Sequence, residues 1–286
     1  MQRWSLDDFE WDRIDHSKID KDILGLIKAA ALTENNAAIY TSYLLNIFRD
    51  KPELCQFISS WGYEEEMHGT LLARYCELAD PGFSFAAAFE KFRTGYVIPT
   101  EVEQSRRGSR MGELLARCMG EVGTSSFYSA LGDSCEEPVL KQICRIVARD
   151  EVRHFATFLD FERDEETRDR LSAAARLRFL LGRLAETADD ELPFAWHCAN
   201  EPHLPYDRDR AYAAYAHHAY RHYRYRHMRN VVRLTLKAAG ISTRAWLTRL
   251  LSLGGLGVMK LHSRRMQSNY KLSAITIGAV PENAAI

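Results

Sequence analysis

The segment YEEEMHGTLL, residues 63–72, places Glu64, Glu65, Glu66 and His68 among apolar turns that include Ile58, Trp61, Leu71 and Leu72. Charged residues at i, i+3 on a single helix ordinarily form a solvated face, so this pair alone would imply no chemistry. The spacing recurs in ARDEVRHFATF, where Glu151 and His154 repeat the E-x-x-H of Glu65 and His68. Three residues advance about 300° around a helix, so each pair lies on one face, one turn apart. A lone glutamate precedes each pair in an apolar stretch: Glu34 in LTENNAAIY and Glu121 in MGEVGTSSFY. The offset is 31 residues from Glu34 to Glu65 and 30 from Glu121 to Glu151. The chain therefore reads as two helix hairpins, each supplying E…E-x-x-H.

The chemistry that wants this set is a pair of iron ions, with manganese as the second choice. Four ionised glutamates neutralise two divalent ions, and two neutral imidazoles add affinity without charge. Carboxylates can bridge two metals or bind one, which leaves open positions for O2. Four carboxylates buried without a cation would be very costly. The expected metal ligands are thus Glu34, Glu65, His68, Glu121, Glu151 and His154, the donor set of dimetal carboxylate helix bundles.

Such ligands need long helices to carry them. Helical periodicity dominates the chain and no alternating strand stands out. It predicts a helix from about Ser17 to Arg49, broken near Thr33, and others over Pro52–Leu78, Arg110–Leu131 and Glu136–Glu162. Further helices are expected near Glu166–Ala185 and Asp207–Ala239, the last stopped by Gly240. Long helices with alternating short and long connections predict an all-α fold, a ferritin-like four-helix bundle with additional C-terminal helices. Residues 1–187 would form the bundle, and 188–286 a basic, Tyr/His-rich helical extension packed on or beside it.

A chain of 286 residues, 46% hydrophobic and 27% charged, is ample for such a core. None of the six cysteines forms a C-x-x-C pair, which argues against a zinc ribbon or a rubredoxin-type site. They read as buried thiols of a reducing compartment, so a cytoplasmic protein is expected. The first residues lack an apolar signal core, and the most apolar stretch, AWLTRLLSLGGLGVM, carries Arg249 and is too short to span a bilayer. No transmembrane segment is expected.

LTENNAAIYTSYLLN, SSWGYEEEMHGTLLARY, MGEVGTSSFY and ARDEVRHFATF together resemble the soluble acyl-carrier-protein desaturases of the ferritin-like superfamily, over roughly Leu32–Glu162. The resemblance implies that Glu65 and Glu151 bridge the two metals. Glu34 and His68 would complete one metal and Glu121 and His154 the other. It also implies that Thr124 places its hydroxyl near the O2 site, although a helix threonine commonly bonds back to its own backbone. Asp150 would orient the metal-bound histidine of the other hairpin, since ligating histidines usually need such a partner. By the internal pseudo-symmetry Glu64 would do the same for His154.

Charge is lopsided along the chain. From Ala211 onward there are 12 Lys/Arg and one acid, against 26 basic and 38 acidic residues before it. An acidic carrier protein or an anionic surface suits that tail better than nucleic acid, for which no base-reading motif is present. Ala211–Arg229 holds five tyrosines, four histidines and four arginines, so His217, His218 or His222 could supply a third nitrogen ligand, as in some ferritin-like N-oxygenases. The leading expectation is an O2-dependent diiron desaturase or oxidase of fatty acid metabolism, acting on an unactivated C–H of an acyl group presented on a carrier protein. Its electrons would come from an external ferredoxin-like donor, and the assembly would be a homodimer. The alternatives are a diiron N-oxygenase or other mono-oxygenase of a small molecule, and a ferroxidase or peroxide-scavenging iron protein.

Overall fold

The computed structural model describes residues 4–165, 171–186 and 190–278. The chain enters through three 3₁₀ turns, Leu6–Asp8, Trp11–Arg13 and His16–Lys18. Asp20 then opens α1 (Lys21–Asn35), its carboxylate accepting the backbone N–H groups of Asp22 and Ile23, donors that have no partner inside the helix. The helix lapses at Asn36 and resumes as α2 (Ala37–Ile47). Pro52 occupies the first turn of α3 (Pro52–Ala79), where its missing N–H costs nothing. α4 (Phe85–Gly95) and α5 (Arg110–Ser134) follow, each started by a serine cap. Glu137 accepts the backbone N–H groups of Val139 and Leu140 at the start of α6 (Pro138–Glu165). The remaining helices are α7 (Ala173–Glu186), α8 (Glu191–Asn200), α9 (Arg208–Tyr220), α10 (Tyr225–Ala238) and α11 (Ala245–Gly278). Among the described residues there is no strand, so the fold is all-α as expected.

Several elements differ from the sequence expectation. The first break falls at Asn36 rather than near Thr33. α4 lies where no helix is expected, and α8 and α11 fall within the helical extension expected over 188–286, at positions where no individual helix is placed. Gly254, Gly255 and Gly257 lower the helix propensity of α11 by about 1 kcal/mol each relative to alanine, but packing on α9 and α10 outweighs this. The single helix expected over Asp207–Ala239 is two, α9 and α10. No glycine or proline marks that break; His227 caps the start of α10, its Nδ1 accepting the Arg224 backbone N–H at 3.1 Å while its Nε2 meets Asp133 Oδ2 at 2.7 Å. The expected helix start at Glu166 and the expected domain boundary at 187 lie outside the described residues.

α1 packs along α3, α5 along α6, and the two hairpins meet through α3 and α6. Two apolar clusters fill the bundle. One takes Ile27, Leu72, Tyr75, Leu131, Ile143 and Val147; the other takes Phe48, Ile58, Leu115, Phe155 and Phe158. On α3 the second cluster ends at Trp61 and the first begins at Leu71; on α6 the first ends at Ala148 and the second begins at Phe155. The E-x-x-H pairs occupy the gap on both helices. Each fully buried Leu or Ile contributes about 1.5–3 kcal/mol, so apolar layers above and below hold a polar layer in place.

Two glycines on one face of α3 set the spacing of that hairpin. A Cβ on Gly69 would stand 2.5 Å from the Asn35 backbone nitrogen, and one on Gly62 would collide with the Thr41 side chain. Gly69 thus lets α3 approach the end of α1 directly beside Glu34 and His68.

The later helices share this core. Ala211, Ala214, Tyr215 and Ala219 of α9 belong to the apolar cluster that contains Ile27 and Leu72. Arg176 on α7 pairs with the fully buried Glu162 of α6 at 2.6 Å and donates to the Ala238 carbonyl of α10. No helix of the described residues is long and apolar enough to cross a membrane.

Candidate metal centre

Glu34 stands on the last turn of α1, Glu65 and His68 on α3, Glu121 on α5, and Glu151 and His154 on α6. All six side chains are buried, none more than 7% exposed. They form two overlapping groups, Glu34–Glu65–His68–Glu151 and Glu65–Glu121–Glu151–His154, and within each group one donor atom per residue lies within 4.8 Å of the others. Glu65 and Glu151 belong to both groups, the positions expected of bridging ligands.

The imidazoles have a defined orientation. His68 Nδ1 lies 3.3 Å from Glu151 Oε1 and 3.7 Å from Glu65 Oε2. His154 Nδ1 lies 3.0 Å from Glu65 Oε1 and 3.5 Å from Glu121 Oε2. Their Nε2 atoms face away, His68 toward Asp150 Oδ2 at 3.6 Å and His154 toward Glu64 Oε2 at 2.9 Å. For His154 the Glu64 carboxylate on Nε2–H leaves the Nδ1 lone pair aimed into the cluster, the tautomer a metal ligand needs. The placement is reciprocal: Glu64 of α3 bonds the histidine of α6, and Asp150 of α6 faces the histidine of α3 from just beyond hydrogen-bond range. Arg153 joins the two halves, bonding Glu64 Oε2 at 2.5 Å and Asp150 Oδ1 at 3.2 Å.

Three residues of this surround carried no role in the sequence reading. The Trp4 indole N–H donates to Asp150 Oδ2 at 2.8 Å, and its ring stacks on His68. Tyr128 donates to Glu34 Oε1. Arg153 sat inside the quoted DEVRH segment, and Tyr128 follows Glu121 by seven residues on the same helical face; both were findable by periodicity. Trp4, far away in sequence, was not.

The donors fit a cation. Glu65 Oε1, Glu121 Oε2, Glu151 Oε1 and the Nδ1 atoms of both histidines are buried and make no hydrogen bond among the described residues, although they point at one another. Protons and charge settle the cluster otherwise. Burial and the neighbouring Glu65 and Glu151 push Glu34 well above the usual carboxylate range, and burial with Glu151 does the same to Glu121. Burial works against a charged His68 or His154, but the surrounding carboxylates outweigh it and raise both. Glu64 is pulled down to about 2, where burial is overcome by His154 and Arg153. Two divalent ions would replace these protons with four compensating charges.

Thr124 donates to Glu151 Oε2 at 2.6 Å, closer than the Gly120 and Glu121 carbonyls at 3.2 and 3.3 Å. It lines a cavity of about 280 Å³ that also exposes Glu34, Glu65, Glu121 and Glu151. The carboxylates therefore face the cavity while the histidines stand behind them. Met119, Phe127, Leu192, Val231 and Met259 give the wall an apolar character, and Tyr215, Tyr220 and Tyr223 line it too.

The tail thus reaches the site through tyrosines. His217, His218 and His222 belong to neither donor group. His218 stacks on Trp196 at 5.2 Å and faces Asp22, and burial pushes His222 down to about 4. The third-nitrogen alternative gains no support: none of the three rings joins the donor groups, and His218 is taken up between Trp196 of α8 and Asp22 of α1.

The sequence model of a family described as "Fatty acid desaturase" matches residues 10–169, which include all six donors. No curated protein matches the chain.

Proposed function

Since the chain belongs to this fatty acid desaturase family, we propose that it is an O2-dependent dimetal oxidase that removes hydrogen from an unactivated C–H bond of an acyl chain. The carrying observation is the position of Glu34, Glu65, Glu121 and Glu151 on the wall of a largely apolar cavity, with both imidazoles behind them. Two irons in this donor set supply the reduction of O2 and the oxidising power for the C–H bond. Desaturation balances as –CH2–CH2– plus O2, two electrons and two protons, giving –CH=CH– and two waters. Two electrons come from the substrate and two from a ferredoxin-like donor.

The chain's own residues orient and enclose. Glu64 fixes the His154 tautomer, Asp150 faces the Nε2 edge of His68, and Arg153 and Trp4 hold those two carboxylates. The Thr124 hydroxyl, bonded to Glu151 and open to the cavity, holds a proton beside the reacting face. The apolar wall excludes bulk water, which protects a strong oxidant from side reactions. An acyl chain suits that wall better than a free iron ion or peroxide would, and this favours the oxidase over iron handling. Presentation on a carrier protein belongs to the same reading. In its favour stands the excess of Lys/Arg after Ala211, although Arg221 and Arg226 are engaged with Asp22 and Asp133 of the bundle.

The test is anaerobic Fe(II) loading followed by O2, ferredoxin and its reductase, with mass spectrometry on a panel of acyl substrates. Two irons per chain and a product two mass units lighter are expected. Glu65→Ala and Glu151→Ala should each lose most of the iron. Wild-type iron content in both variants, or iron oxidation with every acyl substrate untouched, would overturn the reading.

A further inference from the structure

A second cavity, about 320 Å³, adjoins the first. Tyr40, Arg117, Arg183 and Glu191 line both, so these four side chains form the wall between them. The second cavity is cationic: Arg106, Arg107, Arg117 and Arg183 face it, against Glu113 and Glu191. Its two acids are already engaged. Glu113 takes the Tyr43 hydroxyl at 2.7 Å, the Ser105 hydroxyl at 2.8 Å and Arg107 Nε at 3.4 Å. Glu191 takes the Tyr40 hydroxyl at 2.7 Å.

Arg117 and Arg183 are different. Among the described residues neither makes an ion pair with a carboxylate, and Arg183 Nε is buried without a hydrogen-bond partner. The Arg117 guanidinium lies over the rings of Tyr40 and Trp61, 5.1 and 5.7 Å from their centroids. Stacking uses the face of a guanidinium and leaves its N–H edge for an acceptor. Arg117 also precedes Glu121 by four residues and Thr124 by seven, on the same stripe of α5. Its Cα is therefore only about 6 Å along the helix axis from that of Glu121.

We propose that this outer chamber binds the anionic head group of the substrate, with Arg117 and Arg183 as the residues that recognise it. This rests on the acyl-oxidase reading and specifies its substrate class: an apolar chain ending in a carboxylate or phosphate. A planar, double N–H edge is the geometry that suits such anions. The head group sits in the outer chamber, the chain passes Trp61 and Tyr40, and the apolar body lies against Thr124 and the carboxylates. The same anion chemistry has two sources, the carboxylate of a free acid and the phosphate of a phosphopantetheine arm.

Binding to the iron-loaded protein, measured anaerobically by calorimetry, tests this without turnover. The probes are dodecanoate against dodecan-1-ol, and S-dodecanoyl-4′-phosphopantetheine against its dephosphorylated form. At least one anion should bind about tenfold or more tighter than its neutral counterpart, as charge-assisted bonds imply. The double variant Arg117→Gln, Arg183→Gln should abolish that preference while neutral probes bind as before, and Arg117→Lys should retain part of it. Iron content and thermal midpoint are measured on each variant. Arginine-dependent preference for dodecanoate assigns a free acid; preference for the phosphorylated thioester alone assigns a carrier arm. No preference with either pair, or a preference that survives in a folded double variant, overturns the proposal. These outcomes are separate from the oxidase reading, which fails on iron content and product instead.

Discussion

Tyr128 of α5 donates its phenolic hydrogen to Glu34 Oε1 of α1 at 2.5 Å, across the gap between the two hairpins. Both groups are buried, and the bond fixes which Glu34 oxygen remains for a metal. Tyr128→Phe keeps the ring and deletes the bond. Partners of ligating groups are typically worth about 10–100-fold in metal affinity, so competition with a chelator should show iron held that much more weakly. Unchanged affinity would mean that Glu34 is positioned by α1 alone.

Thr124 offers a cleaner separation of binding from chemistry. Its hydroxyl bonds Glu151 and faces the cavity. Thr124→Val preserves shape and should leave two irons per chain. O2 consumption per product should rise, and Thr124→Ser should restore coupling. If product yield per O2 is the same in all three proteins, the threonine is a packing residue.

Acid should weaken the fold through His197. This ring is 1% exposed on α8 and accepts a contact from Lys91 Nζ at 3.1 Å. Burial, with Lys91 and Arg210 nearby, pushes it from 6.5 down to about 4. Between those values the unfolded chain binds a proton that the folded chain does not, so stability falls as pH drops through that window and levels off below it. Denaturant titrations at pH 7, 5.5 and 4.5 should show a shallower fall for His197→Gln than for the parent.

The basic tail and the acidic bundle should stabilise each other weakly. Arg221 lies 2.8 Å from Asp22, and Arg226 pairs with Asp133. Exposed pairs are worth about 0.2–1 kcal/mol each. Reversing both arginines to glutamate should lower the thermal midpoint by a few degrees, and 1 M salt should shrink the difference. A midpoint that does not move, together with lost affinity for an acyl carrier protein, would assign these charges to docking.

The sequence by itself determined the candidate donor set. Helical periodicity is a local property, so E-x-x-H repeated at matched offsets was enough to name Glu34, Glu65, His68, Glu121, Glu151 and His154, and the structure brings all six together. The four helices carrying them were also legible, because their caps and stops, such as Pro52 and Ser109, act within one turn. Asp150 followed from the family resemblance, and Glu64 from Asp150 by the internal pseudo-symmetry. What the tertiary structure decided is whatever depends on distant segments meeting. Trp4 reaches Asp150 across 146 residues. The break between α9 and α10 has no local breaker to announce it, and the His227 that caps α10 is held by Asp133, 94 residues away. His218 turns toward α1 and α8 while Tyr215, Tyr220 and Tyr223 line the cavity. The paired chambers around Arg117 also exist only once α2, α5, α7 and α8 converge. Spacing along one helix fixes which residues share a face; which faces meet is settled by packing between helices, and no spacing rule encodes that.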